Sequence, residues 1–372
     1  MKIKSIEVLK NYIKLPAPLS ISFETFHYSE VYYLKIETDT NLIGWGEGAP
    51  FEPITGDSEV SVREELPKLS RLIGLELGSL EDSLDLVLDG IKSRSLMASL
   101  DFAVHDIIAQ SERIPVYKLY RSTPRKIPNS VTVFLQENLE DNLKETRRIL
   151  SLYPDLKVLK IKLSGKDDLE RCRAIRTITP PHMKFVLDAN QGFKDEREAV
   201  LILNKIIEEI GDVLLIEEPC QKNDYDKAHY IKENIEGSKI VADESCRHIG
   251  DLEEIIERDA FHGVNIKLQK AGGIREGKRL ADLAKEHNLS IMVGQMFESP
   301  LSTAASLALA VTCENIVLTD LDMDLDLPNF STGKALFVDG SRVPLEVPGF
   351  GFGLIGEAIK APQIDSDVWF KC

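Results

Sequence analysis

The strongest constraint on the fold is a recurrence in the middle of the chain. Five short apolar runs each close on a charged side chain: Val158-Leu159-Lys160-Ile161-Lys162, Lys184-Phe185-Val186-Leu187-Asp188, Val213-Leu214-Leu215-Ile216-Glu217, Lys239-Ile240-Val241-Ala242-Asp243 and Gly263-Val264-Asn265-Ile266-Lys267. The closing charges stand 26, 29, 26 and 24 residues apart. A strand of about 5 to 6 residues, a helix of about 11 to 12 and two loops of about 2 to 6 take up that length. Each interval therefore holds one βα unit, and a charge marks each strand exit. Extending the count predicts strands near residues 130, 158, 184, 213, 239, 263, 290 and 316. Between them, Leu139 to Leu152, Asp167 to Ile178, Asp195 to Ile210 and Ile274 to His287 have helical periodicity with polar outer faces. Eight strands with intervening helices are the count of an α/β barrel, whose strand exits meet on the one face where sites are built. No helix of ordinary length is predicted after the eighth strand.

Lys160 and Lys162 are two apart on their strand and so point the same way. A lone pair of this kind reads as the solvated face of an edge strand. The carboxylates downstream reverse that reading. Asp188, Glu217 and Asp243 end three successive strands and form an all-oxygen cluster that would repel itself unless a hard divalent cation joined it. Mg²⁺ is the implied cofactor, because no histidine or cysteine stands in the cluster to favour zinc. Lys162 and Lys267 lie on the strands before and after it, one for each face of a bound carboxylate's α-carbon. Such a proton is too weakly acidic for an unaided side chain, but the charge left by its loss is stabilised by a divalent cation. Crowding by cations is expected to lower a lysine's pKa into the range of a base.

The first 50 residues predict a three-stranded meander, Lys2 to Lys14, Glu30 to Thr38 and Leu42 to Gly48, with a long loop from Leu15 to Tyr28. Gly44-Trp45-Gly46-Glu47-Gly48 leads to Pro50 rather than into a helix, so it reads as a tight strand exit and not a phosphate loop. Helical patterns follow over Ser58 to Ile73, Ser79 to Ile91 and Ser95 to Ile108. His105, in the third, is expected to be a satisfied packing residue.

The balance of 45 basic against 61 acidic residues, net −16, disfavours nucleic acid. Five scattered cysteines with no C-x-x-C pair suggest neither a disulfide framework nor a zinc ribbon. The start lacks the apolar core of a signal peptide, and the longest apolar run, near Leu301 to Thr312, is too short to span a bilayer. The expectation is a cytoplasmic protein with a small-molecule substrate and no membrane partner; a homo-oligomer is compatible with the sequence.

Lys160-Ile161-Lys162, Asp188-Ala189-Asn190, Glu217-Glu218-Pro219, Asp243-Glu244-Ser245 and Lys267 together resemble the muconate lactonizing enzyme subgroup of the enolase superfamily. The likeness extends to Gly44-Trp45-Gly46-Glu47 and the glycine-rich tail. It implies a modified TIM barrel of about seven βα units plus a final strand, residues 121–332. An α+β capping domain, residues 1–120, would be completed by the segment from about 333 to 372. It also implies Mg²⁺ on Asp188, Glu217 and Asp243, with Lys162 and Lys267 as the two bases of a 1,1-proton transfer through a metal-stabilised enediolate. Within the subgroup, dipeptide epimerases carry D-x-D at the eighth strand to bind the substrate's free α-ammonium group. Here Val317-Leu318-Thr319-Asp320-Leu321-Asp322 supplies Asp320 and Asp322. By the same resemblance Lys160 would hold the substrate carboxylate, and Asn190 would be among the substrate-binding residues. Thr132 and Gln295 would touch the peptide or merely pack the barrel rim. Glu298 would sit near the ammonium site or orient Lys267. Members acting on L-Ala-D/L-Glu carry an arginine in the loop that closes over the site. The loop here offers Phe23, Phe26, His27 and Tyr28 instead. The expected substrate is a dipeptide with a small first residue, alanine, and a broad range of second residues, glutamate included.

Three other readings fit these residues. A syn-elimination or cycloisomerisation enzyme (o-succinylbenzoate synthase, muconate cycloisomerase) or an N-succinylamino acid racemase would use the same metal and lysines. A non-catalytic metabolite-binding barrel would need neither lysine. An acidic surface loop would explain Asp320 and Asp322, since Asp324 and Asp326 continue the alternation.

Overall fold

A computed structural model of the chain describes residues 1–20, 25–165, 167–325, 335–351 and 368–372, with backbone alone at 16–20 and 25–26. Its centre is an eight-stranded parallel sheet in sequential order: Ser130–Val133, Val158–Lys162, Lys184–Asp188, Val213–Glu217, Lys239–Ala242, Gly263–Lys267, Ser290–Gly294 and Ile316–Asp320. A parallel bridge between Asn129 and Thr319 joins its two ends. Seven of these strands are followed by a helix of nine or more residues, from Leu139–Leu152 to Pro300–Thr312, and among the described residues none follows the eighth. The architecture is the modified TIM barrel anticipated above.

Two-residue alternation along each strand sorts the side chains into layers. Leu159, Ile161, Phe185 and Leu187 pack outward under the helices. Val158, Val186, Leu215, Val241, Met292 and Leu318 meet inside as an apolar plug. Two residues further along five of those strands, on the same inward face, stand Lys160, Asp188, Glu217, Asp243 and Asp320. Strand register levels them: Lys162 pairs with Asp188 and Asp188 with Glu217, while Lys267 pairs with Gly294 and Gly294 with Asp320.

The cap is built on a second sheet, while Leu336–Val338, Ser341–Val343 and Ile127–Pro128 form a separate three-stranded antiparallel sheet. Ile3–Ser20, Thr25–Thr38 and Ile43–Gly48 make an antiparallel sheet, and Val368–Lys371 returns to pair along its first strand. The segment expected as a loop, Leu15 to Tyr28, is instead strand over its described residues, 15–20 and 25–28. Leu19 pairs with Phe26 and Ser20 with Thr25. Among the described residues of this segment the ladder lapses between Lys14 and Leu19, where Pro16 and Pro18 remove donors. Likewise the segment from Ser58 to Ile73 is not one helix: Glu59–Glu65 is α-helical, and a 3₁₀ stretch, Leu66–Leu72, begins where Pro67 withholds an amide.

Gly44 to Gly48 runs as strand up to the strand's last residue, Gly48. The helix Arg94–Glu112 lies so close on it that a Cβ on Gly46 would sit 1.7 Å from the Ser99 carbonyl oxygen, and one on Gly44 2.2 Å from that of Ala103. In that helix His105 is fully buried and satisfied by the Asp101 carbonyl and the Tyr120 hydroxyl. No helix among the described residues is long and apolar enough to cross a membrane.

Candidate active site

At the strand exits, buried lysines and carboxylates interleave. Lys160 Nζ lies 2.9 Å from Asp188 Oδ2, 2.9 Å from Glu217 Oε1 and 2.7 Å from Asp320 Oδ2. Lys162 Nζ donates to Asp188 Oδ2 at 2.6 Å and to Asn190 Oδ1 at 3.0 Å. On the far side Lys267 Nζ donates to Asp243 Oδ2 at 2.7 Å. The two lysines expected to flank the carboxylates do so from opposite sides, through the second and sixth barrel strands.

The electrostatics follow from burial against charge. Burial pushes the Asp188 carboxyl up, but Lys160 and Lys162 overcome it and hold the group below the usual carboxylate range. Asp243 is likewise depressed, Lys267 and Lys270 outweighing burial. Glu217 has weaker compensation: burial, with Asp188, Asp320 and Asp243 nearby, pushes it up to about 7 against the pull of Lys160. Lys267 does not behave as expected. Burial lowers Lys267, yet Asp243 at its ammonium group raises it above the ordinary lysine value. Its nearest charge is a carboxylate rather than another cation, and attraction wins.

This donor set fits a hard divalent cation. Asp188, Glu217 and Asp243 are almost wholly buried, all their donors are oxygens, and Glu217 Oε1 has no hydrogen bond, since Lys160 approaches it without the geometry for one. Lys160 Nζ partly neutralises the cluster in the arrangement seen here.

The cavity above the charges is lined by Thr132, Lys160, Lys162, Asn190, Lys267, Gln295, Asp320 and Asp322. Its upper wall is apolar: Phe51, Ile54, Phe134, Met296, Phe297 and Met323. Asp320 Oδ1 accepts from Ser130 Oγ at 2.8 Å, and Asp322 Oδ2 from the Thr132 amide at 2.7 Å. Asp320 and Asp322 therefore face the site and not the outer surface, while Asp324 is buried against Arg342. Asp326 lies outside the described residues. Gln295 Oε1 accepts from Thr303 Oγ1 at 2.9 Å, leaving a buried Nε2 without a partner. Asn190 donates to Glu244 Oε1 at 3.3 Å besides accepting from Lys162, so it steadies that lysine. Glu298 stands outside the cavity lining: it is buried, accepts from the Met296 amide at 3.0 Å, and burial with Glu47 alongside pushes it up to about 8. Of the cap residues expected over the site, His27 and Tyr28 are exposed. Tyr28 lines an adjoining cavity that shares Phe51, Met296 and Phe297 with the main one. Phe23 and the Phe26 side chain lie outside the described residues.

Several supporting residues carry no sequence signal of their own. Lys270, three past Lys267, donates to Asp243 Oδ1 at 2.6 Å and to the Asn265 carbonyl at 3.2 Å. Asn265 Nδ2 donates to Glu217 Oε2 at 3.0 Å. Glu218 accepts from the Asp243 and Ser245 amides at 2.7 and 3.0 Å, tying the fourth strand exit to the fifth. Glu218 and Glu244 were visible only as neighbours of metal-type carboxylates.

Fold and site together define an α/β-barrel protein with a carboxylate cluster and flanking lysines at its strand exits, under an α+β cap. Residues 142–358 match the family described as "Enolase C-terminal domain-like", and residues 3–120 match "Mandelate racemase / muconate lactonizing enzyme, N-terminal domain". The chain belongs to the mandelate racemase/muconate lactonizing enzyme family of the enolase superfamily. It is 29% identical to the L-Lys-D/L-Arg epimerase of Methylococcus capsulatus, over 94% of this chain and 99% of that one. To the hydrophobic dipeptide epimerase of Enterococcus faecalis it is 28% identical, over 88% and 92%. Among solved structures, the Enterococcus faecalis dipeptide epimerase complexed with Mg and L-Leu-L-Tyr superposes with a TM-score of 0.86 at 27% identity, covering 94% of this chain and 99% of that one. The substrate-liganded L-Ala-D/L-Glu epimerase of Bacillus subtilis gives a TM-score of 0.86 at 28% identity, covering 94% and 98%.

Proposed function

We propose that the protein is a Mg²⁺-dependent dipeptide epimerase that inverts the α-carbon of the second residue of L-Ala-L-X dipeptides. The observation that carries this reading is the Asp320 and Asp322 pair. Two carboxylates, held by Ser130 and the Thr132 amide, face the same cavity as Lys162 and Lys267. Two acceptors on one face suit an ammonium group, whose charge-assisted hydrogen bonds are the stronger kind. Relatives named as dipeptide epimerases, some solved with Mg and a dipeptide, support it.

Asp188, Glu217 and Asp243 would hold the ion, which supplies the positive charge that makes a carboxylate's α-proton removable. The chain's own residues do the rest. Lys160 pairs with the substrate carboxylate, and Asp320 and Asp322 take the ammonium group at the other end. Gln295 Nε2 donates to the peptide carbonyl. With the substrate fixed at both ends, Lys162 and Lys267 address opposite faces of the α-carbon. The neutral amine of one takes the α-proton, and the ammonium group of the other delivers a proton to the opposite face. The apolar wall of Phe51, Ile54, Phe134, Met296, Phe297 and Met323 receives the second residue's side chain, so we expect a broad preference that includes aromatic and aliphatic residues.

Proton NMR in D₂O with Mg²⁺ and a set of L-Ala-L-X dipeptides tests this. Deuterium should enter the second α-position as the L,D-diastereomer appears, and N-acetylation of the dipeptide should abolish turnover. Lys162→Ala and Lys267→Ala should each lose exchange from a different diastereomer. Absence of exchange in every dipeptide would refute the reading and favour succinylated amino acids or the o-succinylbenzoate precursor. Turnover of L-Ala-L-Glu about a hundredfold above the Phe, Met and Tyr dipeptides, about 2.7 kcal/mol of discrimination, would refute the broad preference.

A further inference from the structure

One buried charge pair plays no part in the mechanism above. Arg342, in the short strand Ser341–Val343, and Asp324, beyond the end of the eighth barrel strand, are both 0% exposed. Two charges taken out of water cost several kcal/mol each and are a poor source of stability. Their placement assigns them another task. Arg342 Nε donates to the Leu321 carbonyl at 2.7 Å, and Nη2 donates to the same oxygen. Nη1 donates to the Ala335 carbonyl at 3.0 Å and to Asp324 Oδ2 at 3.2 Å, and Nη2 to Asp324 Oδ1. From the opposite side, the Leu321 amide donates to Asn129 Oδ1 at 2.9 Å.

Leu321 is the residue between Asp320 and Asp322. Its amide and its carbonyl belong to the two peptide planes that set how the flanking side chains are aimed. We propose that Arg342 is a positioning residue: its planar fork fixes the Leu321 carbonyl, and through it the spacing of the Asp320 and Asp322 carboxylates that receive the substrate's α-ammonium group. Asp324 is the counter-ion that holds the fork, which accounts for the third aspartate of the alternation. Lysine cannot replace the fork, having one donor group on a flexible stem where arginine has a rigid planar set. The proposal rests on the reading of Asp320 and Asp322 as an ammonium site.

The test is calorimetric affinity of the Mg²⁺-loaded protein for L-Ala-L-Tyr and for N-propionyl-L-Tyr, which has the same shape but lacks the ammonium group. In Arg342→Lys, affinity for L-Ala-L-Tyr should weaken about tenfold, about 1.4 kcal/mol, while N-propionyl-L-Tyr stays within about twofold of wild type. Equal weakening of both ligands would show a merely structural role and overturn the proposal, as would no change in either. Should Arg342→Lys fail to fold, Arg342→Met combined with Asp324→Leu replaces the buried pair by apolar side chains and carries the same expectation. A wild-type protein that does not prefer the free amine refutes the ammonium site itself, and with it this proposal. That failure is seen before any substitution is made, so the two are distinguishable.

Discussion

Glu47 joins the cap to the catalytic face, and its replacement has a calculable consequence. It is fully buried in the third cap strand, Ile43–Gly48, and accepts from the Ser299 amide at 2.7 Å, the Ser299 hydroxyl at 2.6 Å and the Ser302 amide at 3.1 Å. Those donors open the helix Pro300–Thr312, where unpaired amides and the helix dipole favour an acceptor. Burial pushes the Glu47 carboxyl up against the pull of the Ser299 and Ser302 donors, so charge assistance is discounted. At about 1 kcal/mol per ordinary hydrogen bond, Glu47→Gln, which turns one oxygen into a donor, costs about 1 to 3 kcal/mol. Glu47→Ala orphans three donors and leaves a void, costing about 3 to 5 kcal/mol. The preceding residues Gln295 to Phe297 line the cavity, so kcat/KM for a dipeptide should fall about tenfold or more in Glu47→Gln as that segment loosens. Urea unfolding with Mg²⁺ present checks the first figure. Trp45 and Trp369, the two tryptophans of the chain, both lie in the cap sheet, so fluorescence follows the cap while circular dichroism follows the whole. Unchanged transitions and an unchanged kcat/KM in Glu47→Gln would refute the argument.

Three further outcomes are expected. Asp106 is fully buried, accepts from the Trp45 and Phe350 amides, and burial pushes it up to about 6. The folded state thus holds its proton more tightly than the unfolded chain does. The stability it contributes is present below about pH 4 and is lost as pH rises through about 6, roughly 3 kcal/mol in all. The stability difference between wild type and Asp106→Asn should fall across that window, and a flat difference would contradict it. Stripping divalent cations should stop α-proton exchange and added Mg²⁺ restore it; exchange that survives chelation would remove the metal from the mechanism. Gly46→Ala should destabilise by about 1 to 3 kcal/mol or more, because its Cβ meets the Ser99 backbone oxygen and no rotamer relieves that. A thermal midpoint equal to wild type would show that the strand and helix can part freely.

The barrel was legible because its signal is local. Alternation along a strand and the length of a βα unit are properties of consecutive residues, so eight strand positions and the charged residues closing five of their exits can be read from the chain. The carboxylates and lysines were visible for the same reason, as charges ending apolar runs where nothing else calls for them. Local pattern failed from Leu15 to Tyr28, where prolines suggested a loop but cross-strand pairing continues. Nor did local pattern give the reason for the glycines at 44 and 46, which is the backbone of the helix packed across that strand. Only the tertiary structure decided what holds the site in place. Glu47 reaches Ser299, Asn129 and Arg342 clamp Leu321 from either side, and Lys270 braces Asp243. These partners stand 21 to 252 residues apart in the chain, and a contact between distant residues leaves no periodicity in either segment. Its energy depends on geometry that exists only once the cap and barrel have met. The charge states were decided there too: Lys267 is held above its ordinary value and Glu217 is pushed up toward neutrality because of which neighbour the fold brings to each.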